Sequence, residues 1–147
     1  MPSRRPCARI VLGAFLLLAA CQRPTGTLSE AQQQRFESER IMRRAIDLPM
    51  RRTRDAGWEE SVASIVVTGQ SVVIHQQDHF WLEITPRSTG RYRVARDHDR
   101  LSLRAGSGAS ATRWSFRPPG DAAGWATDIR AVIAGTASVR RRQRNGR

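Results

Sequence analysis

Between residues 61 and 117 apolar side chains recur at every second position, in short runs broken by turn residues. A chain written this way must build a sheet with an apolar face. Residues 61–68 and 71–75 are β-branched runs on either side of Gly69-Gln70, which predicts a hairpin with a type II′ turn. Residues 80–85 alternate with Phe80, Leu82 and Ile84 on one face, and residues 91–95 place Tyr92 and Val94 inward. Residues 101–103 form a short run, and residues 112–117 set Trp114 and Phe116 on one face. The segments 86–90, 97–99 and 106–110 are rich in Pro, Gly, Asp and Ser and read as turns. About six strands in an antiparallel β-meander are expected.

One apolar sheet face needs a cover, and the chain supplies it next. Pro118-Pro119-Gly120 ends the sheet and Asp121 is a good N-cap. Trp125, Ile129, Val132 and Ile133 then fall at i, i+4, i+7 and i+8, with Gly135 as the expected C-cap. Ahead of the sheet, residues 28–48 lack Gly and Pro and are rich in helix formers, with Ser29 as N-cap and Glu30 in the first turn. Their apolar positions, Leu28, Phe36, Ile41, Met42, Ala45 and Ile46, predict an N-terminal helix that docks by its second half and stops at Pro49. Residues 50–57 read as a basic connector. The expected class is α+β: an N-terminal helix over 28–48, a sheet-plus-C-terminal-helix domain over 58–138, and a disordered basic tail over 139–147. A meander closed by a C-terminal helix with a buried tryptophan resembles the pleckstrin-homology-like architecture. That fold has seven strands where six are counted here, and the resemblance carries no binding residues across.

The two cysteines are Cys7 and Cys21. Arg4, Arg5 and Arg9 precede an uncharged apolar run over residues 10–20, the pattern of a secretory signal peptide. The run is too short for a membrane-spanning helix, which needs about 20 apolar residues. Leu18-Ala19-Ala20-Cys21 resembles the lipobox of bacterial lipoproteins. That resemblance implies a signal peptide over 1–20, a diacylglyceryl group on the Cys21 thiol, cleavage between Ala20 and Cys21, and a fatty-acylated (palmitate-type) N-terminus. The membrane would then be a partner through lipidated Cys21, with residues 21–27 as a flexible tether. In double-membraned bacteria an Asp after the cysteine retains such proteins at the inner membrane. Gln22 therefore points to the periplasmic face of the outer membrane, in the cell envelope. With Cys7 removed, the mature domain would have neither a disulfide nor a cysteine metal site.

The formal net charge is +12 and all 25 basic residues are arginine. An all-arginine set is explained economically by a GC-rich coding bias. High basicity raises nucleic acid as a partner, and export argues against it, so no nucleic acid is expected. Arg140, Arg141, Arg142 and Arg144 instead suggest contact with anionic lipid or cell wall.

Candidate chemistry is sparse. His75, Asp78 and His79 cluster at a probable hairpin end. They read either as a small hydrolase or metal site or as a polar turn, and the HExxH spacing is absent. Asp97-His98-Asp99 reads as turn chemistry, Glu59-Glu60 opens a strand, and Gly106-Ser107-Gly108 lacks the nucleophile-elbow frame. No catalytic residue, metal or cofactor is nominated. Trp81, with Glu83 and Arg91 near it in sequence, is the candidate interface: it faces away from the expected core and is either a contact surface or covered by the N-terminal helix. The expected function is a non-catalytic binding or scaffolding lipoprotein with an envelope protein partner. A periplasmic hydrolase or an arginine-based surface binder is the alternative.

Overall fold

A computed structural model describes residues 24–145 other than Ala56, with side chains as far as Thr136. The lipobox residues Leu18, Ala19, Ala20 and Cys21 lie outside the described residues, as do the side chains of Arg140, Arg141, Arg142 and Arg144. The fold is α+β. Helix α1 (Glu30–Ser38) is followed by strands β1 (Ile41–Arg54), β2 (Gly57–Thr68), β3 (Val72–Gln76), β4 (His79–Ile84), β5 (Tyr92–Asp97), β6 (Arg100–Ala105) and β7 (Thr112–Phe116). Helix α2 (Ala122–Asn145) closes the chain. The strands form one antiparallel sheet of order β4-β3-β2-β1-β7-β6-β5, curled into a half-barrel. Seven strands and a closing helix match the element count of the architecture that six strands had fallen short of. None of the helices is long and apolar enough to cross a membrane among the described residues.

The seventh strand is β1, which occupies residues expected to be helix and connector. Helix α1 starts as foreseen, with a capping box in which Ser29 accepts from the Gln32 amide and the Gln32 side chain accepts from the Ser29 amide. It ends at Ser38 because Arg40 takes a positive φ of 62°, which turns the backbone out of the helix. Pairing on both sides then overrides the helix-forming bias of residues 41–48: β1 ladders with β2 along its length and with β7 at Met50–Thr53. Met42 and Ile46 consequently do not dock and are 42% and 54% exposed.

The inner face of the half-barrel carries the main core. Ala45, Met50, Ile65, Ile74, Leu82, Ile84, Leu101, Leu103, Trp114 and Phe116 are buried there against Trp125, Ile129 and Val132 of α2. Asp121 caps α2 through the amides of Ala123 and Gly124, and Arg43 reaches across to Asp128 at 2.7 Å. The helix does not end at Gly135: it runs to Asn145, so the segment expected as a disordered tail continues it. A single glycine costs a helix about 1 kcal/mol, which the flanking alanines and arginines offset.

The outer face has a smaller core, where Phe36 of α1 packs on Val66 and Val73, with Leu28, Ile41 and Phe80 alongside. Residues 24–27, expected as a loose tether, are seated on this face. Asp47, at a bulge in β1 with φ 54°, accepts from the Thr25 hydroxyl and from the Gly26 amide, and Thr25 accepts from the Gln77 amide. The β2–β3 turn is not type II′, since Gly69 has no positive φ. Thr68 Oγ1 closes it by accepting from the amides of Gln70 and Ser71.

Candidate interface

The histidine cluster is split by the sheet. His75 is fully buried on β3, its Nδ1 2.7 Å from the Gln77 carbonyl and its Nε2 without a hydrogen-bond partner among the described residues. Burial holds its pKa below the ordinary value, aided by Arg44 and opposed by the Gln77 carbonyl and by Asp47. Asp78 and His79 are exposed on and beside the turn, and His79 pairs with Gln76 rather than sharing a row with His75. No group of three His, Cys, Asp or Glu side chains that could hold a metal ion occurs among the described residues. Asp97, His98 and Asp99 form the exposed β5–β6 turn, with Asp99 bound to Arg117 at 2.8 Å. Glu59 and Glu60 face Arg52 and Arg51 across the β1–β2 hairpin.

Trp81, Glu83 and Arg91 stand in three different places. A bulge in the β3–β4 ladder between Ile74 and His75 leaves Trp81 as the extra residue, which puts Phe80 on the outer core and Leu82 and Ile84 on the inner one. The expectation of Phe80, Leu82 and Ile84 on one face therefore fails. Trp81 itself packs at the rim of the main core, half-buried, with the Arg52 guanidinium 5.8 Å from its ring. Neither open solvent nor α1 claims it. Glu83 is drawn the other way, to Arg35 of α1 at 2.6 Å. Arg91 lies before β5 at the opposite edge of the sheet, its carbonyl accepting from the Gly106 amide.

The unclaimed surface lies elsewhere. Helix α1 covers the outer face over β2, β3, β4 and the start of β1, and among the described residues the half made by β5, β6, β7 and the far end of the β1–β2 hairpin has no cover. Strand register lines up a single row across it: Arg93 pairs with Arg104, Arg104 with Arg113, Arg113 with Thr53, and Thr53 with Trp58. These residues alternate with the buried Leu103 and Trp114 and with half-buried Tyr92 and Val94, so all of them point outward. Among the described residues none of the three row arginines makes an ion pair; Arg104 donates to the Gly108 carbonyl at 2.9 Å. Trp58 is 64% exposed, its ring 4.8 Å from the Arg51 guanidinium, and it borders a groove of about 320 Å³ with Arg52, Arg54, Gly57 and Glu59.

No family model, curated protein or solved structure matches this chain.

The row was missed in the sequence because residues 50–57 read as a connector. A signal was present: in Arg51-Arg-Thr-Arg-Asp-Ala-Gly-Trp-Glu-Glu60 two arginines and two glutamates mirror each other about a turn-forming Asp-Ala-Gly, as opposite charges on paired strands do.

Proposed function

We propose that this protein is a membrane-anchored envelope lipoprotein, acylated at Cys21 and acting as a non-catalytic binding component, with the bare half of its outer sheet face as the contact surface. One observation carries the choice of surface: among the described residues, three arginines without carboxylate partners stand in register in a row that ends at an exposed tryptophan, on a face that no other described element covers. Like charges directly opposite each other weaken a sheet, so the row is better suited to an external anion than to the fold's own stability. The lipobox resemblance and Gln22 support a position at the periplasmic face of the outer membrane. The buried position of His75 supports binding over hydrolysis.

Photo-crosslinking in the native host tests this. A crosslinker at position 58 or 104 captures its contact, protein or lipid, whereas one at position 130, on the exposed side of α2, captures none. Equal capture from both faces removes the reading. A His79→Ala variant that folds and is retained normally but loses function moves the assignment to the hydrolase.

A further inference from the structure

Building on the anchored-lipoprotein reading, we infer that the partner of the bare sheet face is the anionic surface of the bilayer that holds the chain's own anchor. The course of the N-terminal segment is the first argument. Thr25 and Gly26 are pinned to the outer face by Asp47, and Gly26 packs against Ile46. Cys21 lies three residues before Pro24, a reach of about 10 Å at full extension. Acyl chains on Cys21 therefore enter the bilayer from the outer-face side, while α2 lies on the opposite side of the sheet.

The chemistry of the face is the second argument. Adjacent strands lie about 4.8 Å apart, so Arg93, Arg104 and Arg113 rise from the sheet within about 10 Å of one another. A layer of anionic headgroups neutralises all three together. The row ends at Trp58, whose amphipathic ring suits the depth of the headgroups, and Thr53, its pair, lies six residues along β1 from Asp47, about 20 Å. A protein interface would be expected to concentrate apolar area and exclude charge at its centre. Here the centre is arginine, and the exposed apolar residue that joins the row, Trp58, stands at its end. Near an anionic surface three basic residues together strengthen attachment on the order of a hundredfold, an effect that salt screens.

The test uses the full chain purified from membranes and reconstituted into phosphatidylglycerol–phosphatidylcholine vesicles with brominated acyl chains, read by tryptophan quenching. The mass of the N-terminal peptide reports acylation separately. The expected result is quenching that falls by at least half in Trp58→Phe, and by a similar amount in a combined Arg93→Gln, Arg104→Gln, Arg113→Gln variant or in vesicles without phosphatidylglycerol. An acylated peptide with quenching unchanged in both variants overturns the inference and leaves the lipoprotein reading standing. An unacylated peptide removes the lipoprotein reading. Quenching that still depends on Trp58 and the arginine row then sustains the membrane contact, and its absence overturns that as well.

Discussion

Ser71 donates its hydroxyl to the Glu39 carboxylate over 2.5 Å, fastening the end of α1 to the β2–β3 turn. Thr68 donates to the same carboxylate at 2.7 Å and Arg35 at 2.8 Å. Burial pushes the Glu39 carboxyl up, but these hydrogen bonds outweigh it and hold the pKa below the ordinary 4.5. Glu39→Gln is expected to lower stability by about 1–3 kcal/mol at pH 7. Below pH 4.5 the unfolded chain takes up the proton more readily than the folded one, so the wild type loses this contribution as pH falls. The gap between wild type and Glu39→Gln should narrow there in urea titrations.

His75 gives a second acid-sensitive element at higher pH. Its folded pKa lies below 6.5, so the unfolded state binds the proton first as pH falls, and stability declines from about pH 6.5 downward until the folded imidazole is also protonated. Thermal unfolding should show this decline in the wild type and a flatter profile between pH 7 and 5 in His75→Leu. Equal slopes in the two proteins would place the sensitivity elsewhere.

Trp125 is the largest side chain that α2 contributes to the core, 2% exposed, with its Nε1 donating to the Pro119 carbonyl at 3.2 Å. Trp125→Ala should cost about 3–5 kcal/mol, a large part of a small domain's total stability. Chemical denaturation monitored by circular dichroism measures it. A loss under 1 kcal/mol would mean that α2 does not close the half-barrel.

Arg104 stands between Arg93 and Arg113 in the ladder. Arg104→Thr removes repulsion on both sides and installs a good strand former, so stability should rise by about 0.5 kcal/mol while attachment to anionic vesicles weakens. Urea midpoints and vesicle co-sedimentation on the same samples test the two signs together.

The sheet-forming half of the chain was legible because its alternation is clean: Tyr92, Val94, Leu101, Leu103, Trp114 and Phe116 all point inward as their spacing requires. So was the stripe of Trp125, Ile129 and Val132 on α2. β1 was not, because Ile41-Met-Arg-Arg-Ala-Ile46 has no strand bias and is extended only because β2 and β7 pair with it. The single extra residue at Trp81 had the same effect on the candidate interface, since a bulge reverses which side chains face the core without leaving a mark in composition. The arginine row depends on register between strands distant in the chain. No local window contains it.

Residues 86–90 join β4 to β5, the two opposite margins of the sheet, and are the covalent link between the two meanders that β1 and β7 zip together. Severing the backbone there removes no ladder rung and no core side chain. The two pieces should find each other and reassemble as a split protein, with the long first strand serving as the template on which the second half assembles.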